Sequence, residues 1–230
     1  SPPTIDEVRT NEGSLNLALE AEKGINYEVG YRLGKEKFNF ELIGYFLKLD
    51  ETITTFTNEN GVVLFRNAGS TDQKGIEASL DYAILRNERG FVKDFLVGTA
   101  YTGQFFKFDK YAKRDNDFSG NDLTGVPRHN LVSRLDIRTS IGVYLNLTYQ
   151  FTDEIPLNDA NTVFQESYDL VNMRIGWVKS LSAFDLEIFA GVDNLLDESY
   201  SLGNDLNAFG GRFFQPAPTR NWYGARYKRR

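Results

Sequence analysis

The chain has 230 residues, of which 41% are hydrophobic and 14% aromatic, with a net charge of −6, no cysteine and one histidine. These values exclude disulfide frameworks, thiolate metal sites and any two-histidine metal site within one chain, and the acidic balance argues against nucleic-acid binding. A mean hydropathy of −0.41, without any run of eighteen apolar residues, excludes a helical membrane protein but not a transmembrane barrel, whose strands are apolar only at alternate positions.

Alternation of apolar and polar residues predicts about nine strands. In chain order they cover 25–34, 37–56, 62–86, 91–107, 127–139, 141–152, 166–178, 183–193 and 220–228. The segment Ile141–Thr152 is typical, because every odd position is apolar and every even position is polar, small or tyrosine. The interruption at Asn67-Ala68-Gly69 predicts a bulge or bend, since glycine tolerates the dihedral angles that a bulge requires.

The predicted connections alternate in length. Short turns lie at 34–37, 87–90, 139–140 and 179–182, and longer polar loops lie near 56–62, 108–126, 153–165 and 194–219. In an antiparallel meander, all short turns then fall at one end of the sheet and all long loops at the other. This asymmetry is typical of outer-membrane barrels.

The polar faces of the predicted strands carry many charged side chains, which suit a water-filled or plugged lumen. These residues are Glu28, Arg32, Glu77, Asp81, Arg134, Asp136, Arg138, Arg174, Asp185 and Glu187. An antiparallel barrel closed with nine strands would contain a parallel seam, so we expect the chain to be part of a larger barrel. The alternative is a soluble antiparallel β-sandwich or a small lipocalin-like barrel that acts as a binding module, because alternation alone does not decide which face points inward.

Several segments resemble TonB-dependent outer-membrane receptors, and they occur in that family's order. They are Glu20–Gly30, Phe46–Ile53, Phe65–Gly69 with Lys74–Glu77, Val192–Asp197 and Gly211–Asn221. The family has a proline where this chain has Ala21, and it ends on an aromatic residue where this chain ends Tyr227-Lys228-Arg229-Arg230. The resemblance implies an all-β fold in which residues 1–230 form the C-terminal portion of a 22-stranded transmembrane β-barrel, without the plug domain. Because the chain opens at Ser1-Pro2-Pro3 without a signal peptide, we also expect a mature or truncated fragment.

The same resemblance implies a function. It predicts an outer-membrane receptor of a Gram-negative bacterium that takes up a scarce chelate, most often a ferric siderophore, with energy delivered through TonB. TonB would engage the missing N-terminal part, and outer-membrane lipid would surround the barrel. Recognition without a covalent step needs neither an enzyme's machinery nor a cofactor. The single histidine, with no serine-centred motif beside it, offers no catalytic triad.

Candidate ligand-binding residues lie in and beside the predicted loops. Aromatic rings can pack against an aryl chelate, and arginine can bind an anionic one. The candidates are Phe105, Phe106, Tyr111, Arg114, His129, Arg212 and Phe213. For each of them, packing within a loop or at the lipid interface is the alternative role. No metal site is expected, because Leu195 and Leu196 interrupt the oxygen-ligand spacing between Asp193, Asn194 and Asp197, which predicts a turn instead.

Overall fold

Almost every regular element in the described part of the chain is a β-strand. The computed structural model describes residues 3–4, 8, 19–57, 59–60, 62–67, 69–87, 89–113, 116–182 and 184–229. In chain order its strands are β1 (Lys23–Lys35), β2 (Phe38–Asp50), β3 (Ile53–Thr57), β4 (Val63–Asn67), β5 (Ser70–Arg86), β6 (Val92–Lys110), β7 (Ala112–Lys113), β8 (Asn116–Asp117), β9 (His129–Thr139), β10 (Val143–Thr152), β11 (Ile155–Pro156), β12 (Phe164–Gln165), β13 (Tyr168–Leu181), β14 (Phe184–Asp193), β15 (Ser201–Asn204), β16 (Phe214–Pro216) and β17 (Asn221–Arg229). A 3-10 turn at Phe209–Gly211 precedes β16.

Nine of these strands form one antiparallel sheet in the order β1-β2-β5-β6-β9-β10-β13-β14-β17. The others form the two-stranded hairpins β3–β4, β7–β8, β11–β12 and β15–β16, one inside each long loop. Short turns join β1 to β2, β5 to β6, β9 to β10 and β13 to β14, so they all lie at the end of the sheet opposite the hairpins. The predicted meander of nine long strands is confirmed. A sandwich requires two facing sheets, and this single sheet gives that alternative no support.

The prediction was wrong at the second and third strands, because 37–56 and 62–86 each joined a sheet strand to a loop hairpin. The backbone separates them at two positions with positive φ, Glu51 at 58° and Gly69 at 68°. A Cβ atom at Gly69 would lie 2.0 Å from the carbonyl oxygen of Lys110, so only glycine fits there. The predicted bend near Gly69 is confirmed, whereas the apolar alternation gave no sign that the chain leaves the sheet beyond Asp50.

One face of the sheet is mainly apolar. The residues Leu135, Leu147, Met173, Val192 and Trp222 are paired side by side across five successive strands. Outward-facing side chains are also exposed at the edge strand, where Val29 is 76% exposed. Soluble monomers rarely expose a contiguous apolar surface of this extent, so this face suits a lipid environment.

The opposite face is polar and contains a repeated contact between tyrosine and glycine. Asp136, Asn146 and Arg174 are neighbours across β9, β10 and β13. On the same face the ring of Tyr144 lies against Gly176 of β13, where a Cβ atom would come within 2.5 Å of the ring. The rings of Tyr45 and Tyr223 lie in the same way against Gly75 and Gly191. At these three positions glycine therefore leaves room for a tyrosine ring from the next strand.

Among the described residues, no helix has the length and apolar character needed to cross a membrane.

Candidate functional site

The four long loops meet at one buried carboxylate, Asp159, which is 3% exposed. It accepts hydrogen bonds from Arg66 Nη2 at 2.7 Å, Tyr111 Oη at 3.0 Å, Thr124 Oγ1 at 2.7 Å and Asn207 Nδ2 at 2.9 Å. Arg66 belongs to the loop after β2, Tyr111 and Thr124 to the loop after β6, and Asn207 to the loop after β14. We call Asp159 with these four partners the Asp159 junction.

Backbone contacts hold Asp159 in place. Its N–H donates to Asn207 Oδ1 at 3.0 Å, and its carbonyl oxygen accepts from Asn121 Nδ2 at 2.8 Å. Backbone hydrogen bonds also join the loops directly, from Gly125 N to Pro156 O and from Asn207 N to Leu157 O, both at 2.8 Å. Because a buried carboxylate is costly unless it is paired and hydrogen-bonded, these contacts favour a single arrangement of all four loops.

An aromatic cluster supports the junction from the loop after β6. Phe108 and Tyr111 are 1% and 5% exposed, and their ring centroids lie 4.8 Å apart. Phe118 and Leu123 pack against them. Burial raises the pKa of Tyr111, and the negative charge of Asp159 raises it further. Tyr111 therefore remains a neutral hydrogen-bond donor to Asp159 at physiological pH.

Below the loops, the polar face of the sheet carries ion pairs. Arg134 Nη2 lies 2.6 Å from Asp81 Oδ1, across the glycine of the strand between them. Arg174 Nη2 lies 2.8 Å from Glu187 Oε1 and also binds the hydroxyl of Tyr144 through Nε at 3.0 Å. The loops therefore stand at the end of a hydrophilic wall that is suited to contact water or a polar solute.

A cleft of about 410 Å³ opens between the β11–β12 hairpin and the loop that follows β14. We call it the acidic cleft, since its lining includes Glu166 and Glu198 but none of the described lining residues is basic. Aromatic side chains form its walls, among them Tyr200, which stacks on Tyr168 with ring centroids 4.8 Å apart. The cleft combines negative charge with aromatic surface.

The structure brings together two of the predicted site residues, Phe105 and His129, on the apolar outward face. His129 Nδ1 lies 2.8 Å from the hydroxyl of Tyr101, and the rings of His129 and Phe105 are 5.7 Å apart. Phe105 is 42% exposed. This group lies at the loop end of the sheet, where an aromatic girdle would meet the lipid headgroups.

The other predicted residues are separate. Phe106 lies on the polar face with its ring 6.2 Å from that of Tyr45. Tyr111 is in the buried cluster, Arg212 is exposed and Phe213 is 9% exposed. Arg114 lies outside the described residues.

Sequence reasoning missed Asp159, Glu166 and Glu198. Each lies in a polar loop without periodic signal, and Asp159 becomes distinctive only when distant loops meet. The one available signal was charge, since the segment 153–167 contains four acidic residues, Asp153, Glu154, Asp159 and Glu166, and neither lysine nor arginine. Among the described residues, no group of three or more His, Cys, Asp or Glu side chains is arranged to hold a metal ion.

A sheet with a mainly apolar face, a charged opposite face and long loops joined at one end has the features of a transmembrane barrel wall. The family model described as TonB dependent receptor-like, beta-barrel matches residues 1–195. The chain belongs to this family.

Three solved structures of similar fold are much longer than this chain. The ferric yersiniabactin uptake receptor FyuA from Yersinia pestis is 19% identical with a TM-score of 0.68, and the match covers 90% of this chain and 30% of that one. The ferric citrate transporter FecA is 18% identical with a TM-score of 0.70, with coverages of 90% and 31%. The copper transporter OprC is 14% identical with a TM-score of 0.69, with coverages of 99% and 35%. The chain thus spans about a third of the length of the structures it matches.

Proposed function

We propose that this chain is the C-terminal portion of a 22-stranded barrel in the outer membrane of a Gram-negative bacterium. The complete receptor imports a scarce chelate, most often a ferric siderophore, with energy delivered by TonB through the part of the receptor that precedes this chain. The chain itself supplies wall strands and extracellular loops that recognise the cargo, and it performs no covalent chemistry.

The observation that carries this proposal is the Asp159 junction at the mouth of a hydrophilic wall. Loops that meet at one point form a continuous surface, which is what recognition of a large solute requires. Within the described residues β1 and β17 are the edge strands of the sheet. This supports membership of a larger barrel, because unpaired edge strands within lipid are too costly.

We further propose which candidates meet the cargo. Phe106 on the polar face and the exposed Arg212 beside the 3-10 turn are the ligand-facing residues. Tyr111 and Phe213 act from below by supporting the loops that present the surface. Phe105 and His129 belong to the lipid boundary, because they lie on the apolar face with Tyr101.

Uptake of iron-55 supplied as ferric siderophores tests the proposal in cells that depend on the receptor. We expect uptake that requires both the receptor and TonB, and its loss when either gene is deleted. Uptake that continues in cells without TonB would contradict the proposed mechanism. A receptor that transports none of a broad siderophore panel would contradict the proposed cargo class.

A further inference from the structure

The acidic cleft contains charged and polar groups that the loops around it do not pair. Glu166 is exposed and Glu198 half-buried, and no ion pair of either is found among the described residues. Arg220, at the end of this loop, instead pairs with Asp197 at 3.9 Å and donates through Nε to Leu195 O. The two carboxylates of the cleft therefore have no protein counter-ion in the described part of the chain.

A second, independent observation concerns Gln165, which also lines the cleft. This residue is 4% exposed, and its buried amide oxygen has no hydrogen-bond partner among the described residues. Buried polar atoms are almost always hydrogen-bonded, so an unsatisfied acceptor beside a cleft favours a donor supplied from outside the chain. A hydrogen-bond donor would satisfy the amide oxygen of Gln165, and a positive charge would pair with the two carboxylates of the same cleft.

Aromatic surface completes the arrangement. Phe164 is half-buried, Phe214 is 54% exposed and Tyr200 is held by its stack on Tyr168. The faces of aromatic rings attract cations, and a planar guanidinium both stacks on them and donates hydrogen bonds. An anionic ligand would meet two carboxylates here and no basic group of the cleft lining.

We propose that the acidic cleft binds an organic cation, a guanidinium or alkylammonium group borne by the transported molecule. The charged group pairs with Glu166 and Glu198, donates to the amide oxygen of Gln165, and packs against the aromatic walls. This inference rests on the proposed function, because it assigns a positive group to the cargo of the same receptor.

Binding of small probes to the complete receptor in lipid nanodiscs tests this inference. N-acetyl-arginine amide carries the cation, and N-acetyl-citrulline amide has nearly the same shape without the charge. Saturation-transfer NMR should detect the arginine probe and give an affinity about tenfold higher than that of the citrulline probe. Equal affinities for the two probes would overturn the proposal.

Variants locate the binding at the cleft. The double change Glu166→Gln with Glu198→Gln should weaken binding of the arginine probe about tenfold, whereas Asp153→Asn with Glu154→Gln changes the net charge equally outside the cleft lining and should leave binding unchanged. If both double variants lose binding alike, the attraction is a general field of the loops and the cleft is not the site.

Two further measurements keep the outcome interpretable. Ser199→Lys places a cation in the cleft and should abolish binding of the arginine probe. This variant keeps both glutamates, so it tests the cleft even if the double glutamine variant folds poorly. Retained binding would contradict the proposal. Probe binding to the purified receptor needs no TonB, so the cleft can fail while TonB-dependent uptake persists, or the reverse.

Discussion

Asp159 is the residue on which the loop arrangement depends most. The Asp159 junction draws hydrogen bonds from loops that are far apart in sequence, and the carboxylate is 3% exposed. An asparagine at this position would keep the shape but lose the charge that pairs with Arg66. Breaking a buried ion pair costs about 3–5 kcal/mol. Because the Arg66 side chain is 19% exposed and can regain water, we expect a cost of about 2 kcal/mol.

Asp159→Asn should therefore loosen several loops together. The amides of Gly125 and Asn207, which donate to Pro156 and Leu157, report on two of them. We expect both amides to exchange hydrogen about 30-fold faster than in the unmodified protein, since about 1.4 kcal/mol corresponds to a factor of ten. Glu154→Gln, an exposed acidic residue in the same loop, serves as the control and should leave both rates unchanged. Faster exchange at only one amide would argue against a shared junction.

Because of Tyr111, the stability of the Asp159 junction depends on pH in the alkaline range. An unfolded tyrosine titrates at about pH 10, and the pKa of Tyr111 in the fold is higher because of burial and the nearby Asp159. The folded state therefore holds the phenolic proton more tightly, so the contribution of Tyr111 is complete below about pH 10 and is lost as pH rises through the folded pKa.

The difference in tyrosinate absorbance between the unmodified protein and Tyr111→Phe isolates this titration. We expect its midpoint to lie above about pH 10 in the folded protein and to return to about pH 10 in denaturant. A midpoint that is the same in both conditions would show that Asp159 and burial do not act on the phenol.

Strands are joined by the tyrosine rings that lie across glycines of the neighbouring strand. A methyl group at Gly176 would come within 2.5 Å of the Tyr144 ring. The ring cannot turn aside freely, because its hydroxyl donates to Glu187 at 2.6 Å and accepts from Arg174. Gly44 provides a matched control, since nothing lies within 4 Å of a Cβ atom there.

Gly176→Ala should destabilise the barrel by about 1–3 kcal/mol, as overpacking does elsewhere, whereas Gly44→Ala should have little effect. The measurement is the temperature at which the complete receptor loses its compact, fast-migrating form on a denaturing gel. Adding Tyr144→Ser to Gly176→Ala should restore that temperature in part. Equal melting of both alanine variants would mean that the ring gives way without cost.

Strands could be predicted from the alternation of neighbouring residues, whereas contacts between distant loops could not. Alternation across Ile141–Thr152 predicted β10 to within two residues, because the pleat repeats every second residue. The same rule places Phe105 and Phe106 on opposite faces, so only one of them can face a lumen. The role of Asp159 could not be predicted in this way, because Arg66 and Asn207 reach it from other hairpins and loops carry no period.

At the scale of the whole molecule, the two ends of the sheet are chemically different. Every long loop lies at one end and every short turn at the other. Because this chain has no cysteine, a single cysteine introduced into it is the only thiol in this part of the receptor, and the receptor without that cysteine gives the background labelling. With the proposed orientation, a membrane-impermeant maleimide should label Glu154→Cys on intact cells. Glu36→Cys, in the turn between β1 and β2, should react only after the outer membrane is opened.

Labelling of both positions on intact cells would indicate that the turns are also outside, which an antiparallel barrel wall does not allow. Labelling of the turn alone would reverse the orientation and place the Asp159 junction in the periplasm. Either result would remove the basis for cargo recognition by these loops.

The Asp159 junction also affects how the loops can diversify. Each partner binds the same carboxylate separately. A substitution at one partner therefore removes one hydrogen bond, whereas a substitution at Asp159 weakens the contacts of all four loops. Residues away from the junction, such as those of the acidic cleft, can then be exchanged to suit a new cargo without dismantling the mouth of the receptor. Because the four loops share one junction, a solute that displaces one loop will also displace its neighbours, and the loops will move together.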